Sequence, residues 1–257
     1  MIWIGTSGYS FKDWVGPFYP PGTKAADMLE YQRQFPAVEV NASYYRLPTA
    51  DTFRRMAART PPDFRFTVKF HRALTHDLDR DPEAMRAFLR AIEPLEASGR
   101  FHGALAQFPW AFRDTPANRD YLRMLRDRYR VLPLFVEFRH ASWAHPGAFD
   151  FLRAIEAGFC AVDEPRLTGL FPPLVEATTP VAYVRFHGRN EASWWGGDNA
   201  ERYNYLYSEE ELREWAEKIR ALETKSREVL VFFNNCHSGR AAQNAKRMAE
   251  LLDLPGI

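Results

Sequence analysis

Cysteine is scarce in this chain, and the scarcity sets a first bound. The two residues, Cys160 and Cys236, form no CxxC pair. A disulfide framework is therefore not expected, and a reducing, cytoplasmic location is. Charge of one sign is also missing, with 34 basic residues against 33 acidic ones. That balance excludes a strongly basic nucleic-acid coat or an acidic tail, so any charged site must be local. No apolar run approaches the length of a membrane span, and the opening "MIWIGTSGYSF" has no basic lead. A soluble protein that begins at Met1 and has no membrane partner is expected. A P-loop, GxGxxG, GxSxG and HExxH are all absent. Their absence argues against nucleotide triphosphatases, dinucleotide oxidoreductases and α/β-hydrolases, and the missing HExxH removes one metal-ligand spacing. No short repeat, low-complexity tract or Pro/Gly/Ser linker divides the chain.

What is present is alternation. Short β-branched and aromatic runs begin at Ile2, Ala37, Phe64, Gly103, Leu134, Phe159, Val181 and Val229. Helical patterns lie between them, around 24–35, 49–59, 83–97, 117–128, 146–157, 208–223 and 239–253. The 208–223 helix is the best marked. Ser208 and Glu211 have capping-box spacing, and Leu212, Trp215, Ile219 and Leu222 share one side. Strand–helix alternation predicts a parallel sheet, and eight units that use the whole chain favour a (β/α)8 TIM barrel over a doubly wound sheet. One domain over residues 1–257 is expected. Two connections are long, one after Asp163 and one after His187, the second carrying two Trp and three Tyr. Both are candidate lids over one end of the barrel.

The strands carry polar residues on one face. Residues two apart in a strand share a face, so Glu39 and Asn41 oppose Val38 and Val40. Arg65, Thr67, Lys69 and His71 oppose Phe66, Val68 and Phe70. Glu137 and Arg139 oppose Val136 and Phe138, and Arg185 and His187 oppose Val184 and Phe186. Gln107, Asp163, Asn234 and Asn235 close their own strands. In a barrel the outer strand face packs on helices, whereas the axial face can turn polar toward the C-terminal mouth, where barrel enzymes place their chemistry. Unpaired buried charges cost several kcal/mol, so these groups must meet one another, a ligand or trapped water. Glu39, Glu137 and Asp163 nearly balance Lys69, Arg139 and Arg185. An internal salt-bridge network is therefore the structural alternative to a site.

Near these cations stand His71, His76 and Arg189, with Tyr9, Trp14, Tyr44, Tyr45, Trp143, Trp194 and Trp195 around them. Cations beside flat rings suit an anion that carries a planar or sugar group, such as a nucleotide or single-stranded nucleic acid. Ser238 and Gly239 could open a helix after the eighth strand, a customary phosphate site in barrels. Ordinary helix capping explains the same residues equally well. A Cys236–His237 nucleophile is disfavoured, since sequence neighbours point apart. Glu39, Glu137, Asp163, His71, His76 and His187 are ligand types a divalent metal could use. The interspersed Lys and Arg repel a cation, so a metal is not favoured. Glu39 and Glu137 could also pair for glycoside cleavage.

The motifs "IGTSGYSFKDWVGPFYP", "VEVNASYYRLP", "FRFTVKFHRALTH", "LAQFP", "FVEFRHASW", "YVRFHGRN" and "FFNNCHSGRAAQNA" run along nearly the whole chain. In them the sequence resembles the YecE-like family, a domain of unknown function. The resemblance implies a TIM barrel with some kinship to metal-dependent barrels of the endonuclease-four and xylose-isomerase type, and it implies no activity. The motif residues are Gly5, Ser7, Tyr9, Trp14, Glu39, Asn41, Tyr44, Lys69, His76, Glu137, Arg139, Arg185, His187, Asn234 and Asn235; Cys236 is outside the pattern. The full His ligand set of the endonuclease-like barrels has no match here.

The leading expectation is a hydrolase-type enzyme acting on a small anionic, phosphate-bearing ligand or nucleic acid. Glu39 or Glu137 would be the general base and His187 the acid or proton shuttle. Lys69, Arg139 and Arg185 would hold the anion. Ser7, Tyr9, Trp14, Asn41, Tyr44 and His76 would add ligand contacts, together with Asp163, Trp194, Asn234 and Asn235. A non-catalytic nucleotide or nucleic-acid binder and a carbohydrate hydrolase are the alternatives.

Overall fold

The structure is a computed structural model that describes residues 1–24, 27–196 and 199–254. Its strands are β1 (Ile2–Ser7), β2 (Ala37–Val40), β3 (Arg65–Lys69), β4 (Phe101–Gln107), β5 (Leu134–Glu137), β6 (Gly158–Asp163), β7 (Val181–Phe186) and β8 (Glu228–Phe233). Each pairs in parallel with the next and β8 returns to β1, closing the expected barrel. The helices are α1 (Met28–Gln32), α2 (Ala50–Ala58), α3 (Arg72–Thr75), α4 (Pro82–Ala97), α5 (Pro116–Arg128), α6 (Pro146–Ala154), α7 (Asn199–Arg202), α8 (Glu209–Glu223) and α9 (Arg240–Leu251). None is long and apolar enough to cross a membrane among the described residues.

Local chemistry explains most boundaries. Ser208 caps α8 as its spacing predicts: its hydroxyl accepts from Glu211 N–H at 3.3 Å, and the Glu211 carboxylate accepts from Ser208 N–H at 2.8 Å. The helix expected over 146–157 stops at Ala154, because Glu156 turns into the left-handed region with φ 54°. The helix expected over 24–35 shortens to α1, and positions 25 and 26 lie outside the described residues. The short α3 and α7 were not foreseen. His71, expected on the axial face, instead caps α3, where its Nδ1 accepts from Ala73 N–H at 3.3 Å. Ser238 does not cap α9. It sits at φ 51°, Gly239 takes the cap position at φ 77°, and Ser238 N–H already donates to the Asp13 carboxylate at 2.5 Å. The anion site expected there is thus filled by one of the chain's own carboxylates.

Strand parity sorts the interior. Ser7 aligns with Glu39, Glu39 with Thr67, and Gln107 with Glu137. Cys160 aligns with Tyr183, and Val162 with Arg185. The lower barrel is filled by rings. Phe135 lies so close to β4 and β6 that a Cβ on Gly103 or Gly158 would come within 2.4 Å of its ring. Tyr183 packs 4.9 Å from Phe135 and 5.3 Å from Phe232, centroid to centroid. The polar layer rests on this aromatic floor.

Candidate functional site

Arg185 is the centre of the polar layer. Only 1% exposed, it reaches the Glu39 carboxylate with Nη2 and the Glu137 carboxylate with Nη1, both at 2.6 Å. The remaining Glu39 oxygen accepts from the Tyr183 hydroxyl at 2.7 Å. Arg139 Nε lies 2.7 Å from Glu137 Oε1, and its Nη1 donates to Glu164 at 2.6 Å. His187 Nε2 sits 3.2 Å from Glu137 Oε1, and the Asn234 amide is 3.0 Å from its Nδ1. Two guanidiniums and three carboxylates therefore form one connected network across β2, β5 and β7 and the segment after β6.

The titrations follow from that arrangement. Burial pushes the Glu137 carboxyl up, but Arg185 and Arg139 outweigh it and hold the group well below the usual carboxylate range. Burial, with Glu137 nearby, pushes Glu164 up to about 7 despite its bond to Arg139. Burial and then Arg139 hold His187 neutral, well below the usual imidazole value.

Above the network opens a cavity of about 420 Å³ at the C-terminal mouth. Among the described residues its charged lining is five Lys or Arg side chains (Lys69, Arg72, Arg139, Arg185 and Arg202), with no Asp or Glu. His76, Asn41, Gln107 and Asn234 add polar atoms, while Tyr44, Tyr45, Trp110, Trp194, Trp195 and Tyr203 supply rings. Arg139 lies 5.6 Å and Arg202 5.8 Å from the Trp194 ring centroid, and Lys69 Nζ lies 4.5 Å from that of Tyr44. Arg72 is paired with Asp77 at 3.1 Å. Neither Lys69 nor Arg202 has a carboxylate partner among the described residues. Burial, then Lys69 and Arg72, pull the His76 imidazole down to about 4, so it faces the cavity uncharged at neutral pH.

Both long connections meet this mouth. The one after β6 brings Leu170 to the wall, and its Gly169 carbonyl accepts from Trp110 Nε1 at 3.0 Å. The one after β7 brings Trp194, Trp195, Arg202 and Tyr203; Gly197 and Asp198 within it lie outside the described residues.

Of the residues singled out from sequence, Asn41, Tyr44, Tyr45, Lys69, His76, Gln107, Arg139, Arg185, Trp194, Trp195 and Asn234 line the cavity. Glu39, Glu137 and His187 converge on the axis but lie beneath it, fully buried. Neither carboxylate faces the cavity as a base or as half of a glycosidase pair, because their oxygens are held by Arg185, Arg139 and Tyr183. Ser7 is in the same buried layer, 3.4 Å from Arg185.

Other placements correct the sequence reading. Asp163 points outward, since it aligns with Phe186, which stacks on Phe233 and packs on Trp215 of α8. There Asp163 binds Arg189 at 2.8 Å, which removes both from the mouth. Asn235 also faces outward and donates to the Asn244 side chain and the Tyr205 carbonyl, both at 2.9 Å. Trp14 is buried behind β1 and donates to the Cys236 carbonyl at 2.6 Å. Trp143 stacks on Phe138, 4.1 Å between centroids. Tyr9 borders a separate groove beside α2. Cys236 is half-buried, and burial pushes its thiol up, against a nucleophilic role. Arg72, Trp110, Leu170, Arg202, Tyr203 and Glu164 were missed; a position just past a strand was the only signal for Arg72 and Trp110.

The metal expectation has a geometric test in the donor set. Among the described residues no three His, Cys, Asp or Glu side chains converge as a metal would require. His76 is surrounded by cations, and Glu39 and Glu137 are bound to guanidiniums. These donors do not fit a resident metal.

A closed (β/α)8 barrel with an arginine–carboxylate network under a cationic, ring-walled mouth defines the class of this protein. The chain belongs to the family described as protein of unknown function DUF72, whose model matches residues 3–256. It is 34% identical to UPF0759 protein YunF of Bacillus subtilis, over 99% of this chain and 95% of that protein. It is 30% identical to UPF0759 protein YecE of Escherichia coli, over 57% of this chain and 52% of that one. A crystal structure of a DUF72 family protein from Thermotoga maritima superposes with a TM-score of 0.92 at 45% identity, covering 98% of this chain and 99% of that one. One from Enterococcus faecalis gives 0.89 at 30% identity, covering 99% and 96%.

Proposed function

We propose that this chain is a barrel enzyme that binds a small phosphate-bearing ligand of mononucleotide size at its C-terminal mouth and cleaves it hydrolytically. The observation that carries this reading is the cavity's charged lining, five cations and no carboxylate among the described residues. Fixed cations in a partly dry pocket stabilise phosphoryl charge without reorganising. A volume of about 420 Å³ suits one small ligand better than a duplex. The rings of Trp110, Trp194 and Tyr44 offer faces for a base or sugar. Arg202, without a carboxylate partner among the described residues, would receive the phosphate, and Arg139 would close on it. Glu39 and Glu137 act here as positioning residues that hold the two axial guanidiniums in place. The acid–base role moves to His76, whose low basicity comes partly from Lys69 and Arg72. A bound dianion offsets those charges and raises its proton affinity.

The test is titration calorimetry with AMP, inorganic phosphate and adenosine, followed by chromatography of the AMP mixture. AMP is expected to bind at least tenfold tighter than adenosine, and Arg202→Ala to lose about tenfold, or about 1.4 kcal/mol. Equal affinity for adenosine would remove the phosphate seat from the reading. AMP retained without product would select a binding module instead of an enzyme.

A further inference from the structure

Lys69 differs from the other buried cations of the barrel. Arg139 and Arg185 each lie within 2.7 Å of a carboxylate oxygen, whereas Lys69, only 8% exposed, has no carboxylate partner among the described residues. Its backbone is fixed by Ser43, whose hydroxyl donates to the Lys69 carbonyl at 2.6 Å, and its Nζ rests over the Tyr44 face inside the cavity. The choice of residue is informative, because the chain has 28 Arg and only six Lys. Lys12, Lys24 and Lys225 are exposed, and Lys218 and Lys246 half-buried. Where charge alone is needed, Arg serves and never gives up its proton; Lys can lose it and become a nucleophile.

We propose that Lys69 Nζ condenses, as a free amine, with the carbonyl carbon of a phosphorylated aldehyde or ketone seated in the cavity. The proposal rests on the phosphate seat of this site and not on the hydrolytic step, and it names phosphorylated carbonyl compounds as a second substrate class. The Nζ lone pair forms the C–N bond while the carbonyl π pair moves to oxygen. One proton from nitrogen and one from solvent leave with that oxygen as water, giving a protonated imine, and addition of water reverses the step. The groups that act on the amine are Arg185 and Arg139, which repel its proton, and Glu137 and Glu39, which favour it. Burial and then Arg185 bring it down to about 7, so about half is uncharged at neutral pH. A lysine of ordinary pKa is free to roughly one part in 2,500 at pH 7.

The experiment treats the intact protein with glycolaldehyde phosphate and sodium cyanoborohydride at pH 7 and maps the reduced adduct by peptide mass spectrometry. Lys69 is expected to be labelled at least tenfold faster than each of the other five lysines. Adducts on surface lysines with Lys69 bare overturn the proposal. Unphosphorylated glycolaldehyde separates the two readings and should label Lys69 at least tenfold more slowly. Equal rates keep the nucleophile and defeat the phosphate seat. Tryptophan quenching by inorganic phosphate, with Lys69 left unlabelled by the phosphorylated aldehyde, keeps the seat and defeats the nucleophile.

Discussion

Replacing Arg185 with methionine keeps much of the side-chain volume and removes the charge that joins β2, β5 and β7. Arg185 is 1% exposed and bonds Glu39 and Glu137 at 2.6 Å each. In its absence Glu137 retains Arg139, but Glu39 is left with the Tyr183 hydroxyl and no ion-pair partner among the described residues. Removing one partner of a buried pair costs about 3–5 kcal/mol, because the other charge stays in a medium that solvates it poorly. At a barrel's size each kcal/mol lowers Tm by about 2–4 °C, so a fall of roughly 6–20 °C is expected. Urea unfolding at pH 7, followed by tryptophan fluorescence, gives the free energy directly. The decisive comparison is the double variant Arg185→Met/Glu39→Gln, which also removes the stranded charge. It should recover about 1–3 kcal/mol relative to Arg185→Met. A single variant within 1 kcal/mol of wild type, or a double variant no more stable than the single, would refute the idea that the axial carboxylates depend on this guanidinium.

Lys69 sets a second expectation. Its folded pKa, about 7, is below that of the unfolded chain, so the unfolded state binds more protons between pH 7 and about 10 and stability rises with pH across that window. Lys69→Met should flatten the rise, by up to roughly 4 kcal/mol over the window, and parallel curves for variant and wild type would contradict the burial assigned to the amine. Glu164 behaves oppositely: its folded pKa of about 7 exceeds the unfolded value, so its contribution fades as pH climbs from about 4 to 7, and Glu164→Gln should remove that decline from a thermal melt series. Gly5→Ala would place a Cβ 2.0 Å from the Ala37 carbonyl oxygen, forcing β1 from β2, and a loss of several kcal/mol is expected in urea unfolding; near-wild-type stability would mean the strands are not so closely paired.

Much of the barrel was legible because its signal is local and repeated. Period-two alternation alone turned Glu39, Lys69, Glu137, Arg139 and Arg185 inward, and the structure keeps each of them there. Strand ends were less legible. Asp163 follows Val162 and Asn235 follows Asn234, and a shift of one residue exchanges the two faces. Depth was only half readable. Two residues along a strand rise about 6.6 Å, which rightly sets Arg139 nearer the mouth than Glu137. The same rise should bring His187 above Arg185 and into the cavity, yet His187 is fully buried. Loop aromatics were least legible, because packing decides their direction: Trp14 and Trp143 turned into the shell, while Trp110 and Tyr203, not singled out, turned to the cavity.

The ring floor formed by Phe135, Tyr183 and Phe232 has a kinetic consequence. Among the described residues the far side of the cylinder is stoppered by these side chains, so a molecule that enters at the mouth leaves by the mouth. Exchange of any bound molecule is then sequential, each departing ligand clearing the passage before its successor enters.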